Sequence, residues 1–164
     1  MLLNILKYPN PLLRKKCRSI SIIEPKVAKL AKNMLETMRA APGVGLAAPQ
    51  VGENIRLFVA DIGDNNPIIA INPKVKKRGG KQIFKEGCLC LPGMEAPVER
   101  TAKVTLKCQN EKGENITIEA EGLLATVIQH ENDHLDGVLF IDRVKNPDDI
   151  KFISPVIEPK EEQL

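Results

Sequence analysis

Two histidines are all this chain has, and they stand four residues apart with a glutamate directly after the first, in His130-Glu131-Asn132-Asp133-His134. Random placement would give that spacing in about one arrangement in a hundred, and the adjacent acid makes the pattern rarer still. Positions i and i+4 share a face of an α-helix, so both imidazoles can reach one metal ion. A glutamate beside them is then placed to act as a general base on water held at that ion. The chemistry this spacing suits is metal-assisted hydrolysis.

The segment around the histidines reads as a helix from Leu123 to Leu135. Leu124, Val127, Ile128 and Leu135 recur as one apolar stripe, with Gln129, Asn132, Asp133 and Asp136 expected on the opposite, wet side. Gly137 is the expected C′ residue. Glu131 projects into the apolar stripe, and the histidines lie along its edge. A carboxylate on a core-facing stripe is costly unless paired or bound. That cost favours a metal site over two satisfied core histidines.

Two imidazoles need a further ligand. Downstream, the acidic candidates are Asp142, Asp148, Asp149 and Glu158. Upstream, Glu86-Gly87-Cys88-Leu89-Cys90 is stronger, because a thiolate binds zinc or ferrous iron well. In an extended segment, residues 88 and 90 point to one face, so either or both thiols can reach the metal. If both bind, Cys88, Cys90, His130 and His134 close a four-coordinate, structural zinc site. If one binds, a coordination position stays open for catalysis. A glutamate beside a ligand has no use in a closed site, which favours the open one.

The elements that must position these groups follow from patterning. With 164 residues, 43% of them hydrophobic, residues 1–164 suit a single domain with a real core. Pro25 to about Arg39 reads as a first helix, with Pro25 at N1 and Val27, Leu30, Ala31, Met34, Leu35 and Met38 at helical spacing. A short loop from Ala41 to Gln50 follows. Strand-like runs come next: Ile55–Ile62, Ile68–Ile71, Gln82–Phe84, Pro97–Glu99, Val104–Cys108 and Ile116–Ala120. Gly-Gly, Pro-Gly and Asn-Glu-Lys-Gly turns bound them. Val138–Ile141 is also strand-like, and Pro147, Pro155 and Pro159 argue against a long terminal helix. The fold class expected is α+β, with mostly antiparallel strands packed around a central metal-binding helix and an additional N-terminal helix.

Composition narrows the function classes. One Tyr, four Phe and no Trp leave no stacking platform for single-stranded nucleic acid. A net charge of +3 with interleaved signs demands no nucleic-acid or membrane partner, and the basic run Lys74–Arg78 reads as a solvated loop or strand edge. The N-terminus lacks the apolar core of a signal peptide, and no stretch could span a bilayer. A cytoplasmic location is expected, where the four cysteines stay reduced. Cys17 and Cys108 read as buried hydrophobes.

Three segments, Gly43-Val-Gly-Leu-Ala-Ala-Pro-Gln50, Glu86-Gly-Cys-Leu-Cys90 and Gln129-His-Glu-Asn-Asp-His-Leu-Asp-Gly137, stand in series. In this order and spacing they resemble the three signature motifs of the peptide deformylases. The likeness runs from Ile5–Arg14 to Val138–Arg143 and covers nearly the whole chain. It implies removal of the N-formyl group from the formyl-methionine of new polypeptides, with release of formate. It also implies Cys88, His130 and His134 as metal ligands, Glu131 as catalytic acid/base, and Gln50 with the Leu89 N–H as donors to the formyl oxygen. Gly43, Val44 and Gly45 match the strand edge along which the substrate lies, and Val127 matches the methionine pocket.

The resemblance favours one ferrous ion, with zinc, nickel and cobalt suited to the same ligands. It implies formyl-methionyl nascent peptides as partners and transient proximity to the ribosome. Two departures stand out. Cys90 replaces the family's usual serine, and the C-terminus lacks the basic terminal helix of some members, which argues against docking through such a helix. The residues also admit two other readings: a different metallopeptidase built on the His-Glu-x-x-His pattern, and a non-catalytic Cys2His2 zinc-stabilised binding module.

Overall fold

The computed structural model describes residues 1–153. Its centre is one antiparallel sheet in the order β1-β2-β3-β4-β5, made of β1 (Gly45–Ala47), β2 (Leu57–Ala60), β3 (Ile68–Cys88), β4 (Leu91–Gln109) and β5 (Asn115–Glu121). A short β6 (Lys151–Phe152) pairs with β4. Two helices, α1 (Pro25–Ala40) and α2 (Gly122–Leu135), pack on it. The architecture is α+β, as the patterning implies.

β2 explains how one sheet holds both helices. All four of its residues are buried, and successive side chains point to opposite faces. Leu57 and Val59 pack with Val27, Ala31, Met34 and Met38 of α1. Phe58 and Ala60 pack with Ala125, Ile128 and Leu135 of α2. Each fully buried side chain of this size contributes about 1.5–3 kcal/mol. A third cluster, with Leu13, Cys90, Leu91, Val98, Leu139 and Phe140, closes the far end.

Sequence patterning breaks up the long hairpin that the structure keeps whole. The runs 68–71 and 82–84 are one strand, and 97–99 and 104–108 are another. Lys74–Arg78 is strand, exposed apart from the half-buried Val75, and Gly79-Gly80 continues that strand directly after a register shift between Lys77 and Gly79 rather than forming a turn. Both glycines have positive φ, which the bulge requires. The loop expected up to Gln50 contains β1 and a 3-10 turn over Ala48–Val51.

The end of the chain differs as well. Val138–Ile141 is no strand: Phe140–Arg143 forms a 3-10 turn, where the Leu139 N–H donates to the Asp142 carboxylate at 2.9 Å. Leu139 and Phe140 reach the core from that turn without joining a ladder. Pro147 opens another 3-10 turn, whereas Pro155, Glu158 and Pro159 lie outside the described residues.

Candidate metal centre

α2 is buried nearly all round. Every residue from Ala125 to Glu131 is buried, and so are His134 and Leu135. Gln129, expected on a wet face, is only 7% exposed and grips the β4 backbone. Its amide donates to the Thr101 carbonyl at 2.8 Å and accepts from the Thr101 N–H at 3.2 Å. Asp133, also expected to be wet, is mostly covered and binds Arg100 and Arg143. A polar side chain on a helix can face the core wherever a strand edge or a cation satisfies it.

The helix ends sharply at a Schellman cap. The Val138 N–H donates to the Asp133 carbonyl and the Gly137 N–H to the His134 carbonyl. Gly137 sits at φ 74°, and a Cβ there would meet the Arg14 carbonyl oxygen at 2.4 Å. Only glycine fits that site. The cap therefore fixes His134, one residue inside the helix end, against the rest of the molecule.

Cys88 arrives from the other direction. It is the last residue of β3, beside a two-residue turn, with a register shift between Gly87 and Cys88. Bulges re-aim a side chain, and here the Cys88 sulfur ends 3.2 Å from His134 Nε2. Among the described residues, Cys88, His130 and His134 place their ligand atoms within 4.8 Å of one another. Cys90 is outside that group. Its sulfur lies 3.2 Å from the Cys88 sulfur, on the side of the third core cluster.

The orientation of His130 has a clear physical cause. Its Nδ1 lies 2.8 Å from Glu86 Oε1, so Nε2 is the nitrogen left for the centre. Glu86 accepts in turn from Nε and Nη2 of the Arg100 guanidinium, at 2.7 and 2.9 Å. Arg100 also reaches Asp133 at 2.9 Å, and Arg143 closes the chain of charges on the same carboxylate. Burial alone would raise the Glu86 carboxyl; hydrogen bonds with His130 and Arg100 outweigh it and hold it below the usual carboxylate range.

Sequence patterning assigned no role to Glu86, Arg100 or Arg143. A signal exists for Glu86, which precedes Cys88 by two and would share its face in an unbroken strand. Arg100 carried none, because its partners come together only when β4 pairs with β3.

Glu131 occupies the middle of the site. It is 4% exposed, its Oε2 lies 4.0 Å from His130 Nε2, and its Oε1 is buried with no hydrogen-bond partner among the described residues. Burial pushes its carboxyl up to about 7, against the pull of His130. A Cβ on Gly45 would stand 2.4 Å from Glu131 Oε2. The first and third motifs thus meet at a point where only glycine fits.

Gln50 is buried beside them. Its Oε1 accepts from the Ala47 N–H at 2.8 Å, which turns Nε2 towards the Cys88 sulfur at 3.4 Å. A cleft of about 280 Å³ opens over these groups, lined by Gly43, Val44, Leu89, Leu123, Val127 and Glu131 among others. A roomier groove of about 520 Å³ runs past Arg18, Glu24 and Glu53, and no histidine or cysteine lines it.

The donor set suits a divalent metal. One thiol and two imidazoles converge, and Glu131 Oε1 remains buried without a partner among the described residues. Buried polar atoms in that condition are uncommon, and a cation at the centre gives the glutamate an opposite charge to face.

Comparison with known proteins agrees with this geometry. The family model described as polypeptide deformylase matches residues 2–149. The peptide deformylase of Clostridium botulinum is 56% identical over 140 residues, covering 85% of this chain and 95% of that one. The peptide deformylase of Dictyoglomus thermophilum is 47% identical over 143 residues, covering 87% and 93%. Among solved structures, the Thermotoga maritima peptide deformylase superposes with a TM-score of 0.85 at 40% identity, covering 89% of this chain and 99% of its own. The Synechococcus elongatus peptide deformylase in complex with actinonin gives 0.84 at 42% identity, covering 88% and 79%. With sequence, fold and a Cys/His/His centre in agreement, this chain belongs to the polypeptide deformylase family, metal-dependent hydrolases that remove the N-formyl group from the ends of new polypeptides.

Proposed function

We propose that deformylation here is carried by Cys88, His130 and His134 as metal ligands, by Glu131 as acid and base, and by Gln50 with the Leu89 N–H as donors to the formyl oxygen. The observation that carries this reading is Glu131 itself. It is a buried carboxylate with a free oxygen, beside three convergent ligands, on the floor of an apolar cleft.

A divalent ion on the three ligands supplies Lewis acidity and a nucleophile at neutral pH. Glu131 takes the proton of the attacking water and later returns it to the departing amine nitrogen, a role typically worth about 10²–10⁴-fold. Gln50 is held by its bond to the Ala47 N–H, so its Nε2 is already oriented when charge develops on the formyl oxygen. Loss of one such donor costs about 10²–10³-fold. The peptide lies against the Gly43–Gly45 edge, and its methionine side chain enters the apolar part of the cleft beside Val127.

Ferrous iron is the ion we assign, on the likeness to the peptide deformylases; zinc, nickel and cobalt fit the same thiolate and two imidazoles. Formyl-methionyl nascent chains are the substrate, which implies transient proximity to the ribosome and a cytoplasmic location. Among the described residues, no helix is long and apolar enough to cross a membrane.

The testing experiment is Glu131→Gln, read by formate release from a formyl-methionyl peptide and by metal content. Turnover should fall by about 10²–10⁴-fold while the metal stays bound. A variant that keeps its turnover would remove Glu131 from the mechanism, and one that loses its metal would make it a ligand. Ferrous iron is checked separately, by metal analysis of protein purified without oxygen.

A further inference from the structure

Cys90 has no part in the mechanism above, yet it is placed with care. It is fully buried beside Leu13, Leu91, Val98, Leu139 and Phe140. Its backbone carbonyl accepts from the Tyr8 N–H, which pins the turn after β3. Its sulfur stands 3.2 Å from that of Cys88, whereas Cys88 itself is half-buried and lines the substrate cleft. One thiol of the pair therefore faces incoming solutes, and the other waits behind it. The other two cysteines, Cys17 and Cys108, are buried in a different cluster, where burial pushes both thiols up to about 11.

We propose that Cys88 and Cys90 form a reversible disulfide when hydrogen peroxide enters the cleft, with Cys88 as the sulfur attacked and Cys90 as the resolving thiol. In the first step the Cys88 sulfur displaces one oxygen of peroxide, giving a sulfenic acid and one water. In the second, the Cys90 sulfur attacks that sulfenic sulfur, the S–S bond forms, and a second water leaves with the Cys90 proton. Two thiols and one peroxide become one disulfide and two waters. The sulfurs need to close from 3.2 Å to about 2.05 Å across the single intervening residue, Leu89.

The physical consequence lies in what does not happen. A sulfenic acid without a neighbouring thiol can proceed to sulfinic and sulfonic acids, which ordinary thiols do not reverse. A resolving thiol diverts it to a state that a dithiol reductant restores. The effect on the metal rests on the ligand assignment under Proposed function: a Cys88 in a disulfide is no longer a thiolate donor, so the metal should leave.

The experiment treats metal-loaded and metal-free protein with peroxide, blocks remaining thiols and weighs the tryptic peptide Glu86–Arg100, which holds both cysteines. The expected peptide is lighter by two hydrogens, resists blocking and regains both thiols with dithiothreitol. Cys90→Ser and Cys90→Ala should instead accumulate two or three oxygens on Cys88, with no recovery. Sulfinic or sulfonic Cys88 beside a blockable Cys90 in the unmutated protein would overturn the proposal, and it needs no variant to fold. Metal content of the oxidised protein reads the other assignment separately. A disulfide form that keeps its metal supports the dithiol pair and removes Cys88 from the ligands.

Discussion

The two helices sit on opposite faces of the same strand and obey different rules. α1 buries Val27, Ala31, Met34, Leu35 and Met38 and turns its lysines outward; the polar side chain it buries, Thr37, donates to the Asn33 carbonyl of the same helix and accepts from the Leu3 N–H. α2 buries residues of both kinds, with Gln129, His130, Glu131 and His134 as enclosed as Ala125 and Ile128. On α2, Gln129, His130 and Asp133 are tied to β3, β4 or a cation, while Glu131 Oε1, Asn132 Oδ1 and His134 Nδ1 are buried without partners among the described residues. The first helix contributes stability alone; the second spends buried surface on groups that must be held, and needs the sheet to hold them.

That contrast can be broken at its simplest end first. Met34→Ala removes a fully buried side chain from α1, and should cost about 2–5 kcal/mol in denaturant unfolding. Activity per folded molecule should stay the same. A change in turnover at full folding would show that α1 reaches the chemistry.

The opposite result is expected from Gly45→Ala. The added Cβ must displace Glu131, and a shift of about 1 Å in a catalytic group costs on the order of 10²-fold. Turnover should fall with little change in the unfolding midpoint. Comparable loss of both would blur the division between the helices.

Glu86→Gln tests whether the Arg100 chain acts through His130. Metal affinity should fall about 10–100-fold, measured by competition with a chelator. An unchanged affinity with lowered stability would make the chain purely structural.

The smallest effect belongs to the exposed pair Arg14–Asp142. Burial would raise the Asp142 carboxyl, but Arg14 and the Leu139 N–H hold it below its ordinary value. A depressed folded pKa means the stabilisation is complete above the unfolded value of about 3.9 and is lost as pH falls through the folded one. Asp142→Asn should therefore cost less than about 1 kcal/mol at pH 7, a difference that vanishes in acid. A difference that persists at low pH would point to the Leu139 contact instead.

What the sequence discloses follows the same divide. α1 and the existence of α2 are legible because their periodicity is local, and the three motifs are legible because their residue types and spacing are chemical. The β3–β4 hairpin is hidden because Lys74–Arg78 satisfies strand geometry and solvent at once, and Gly79-Gly80 marks a bulge as readily as a turn. Gln129 reads as solvated because its partner, the Thr101 backbone, is 28 residues away. The Glu86–Arg100–Asp133 chain depends on register, which no single segment encodes.

The length of β1 limits what can pair with it. It is an edge strand, and unpaired strand edges invite other chains to add on, which ends in aggregation when the edge is long and flat. β1 is three residues long, opens on a glycine and runs straight into the turn at Ala48. Such an edge is too short to template a growing sheet. β1 therefore leaves other chains little edge to add to, and its Ala47 N–H is already taken by the Gln50 side chain.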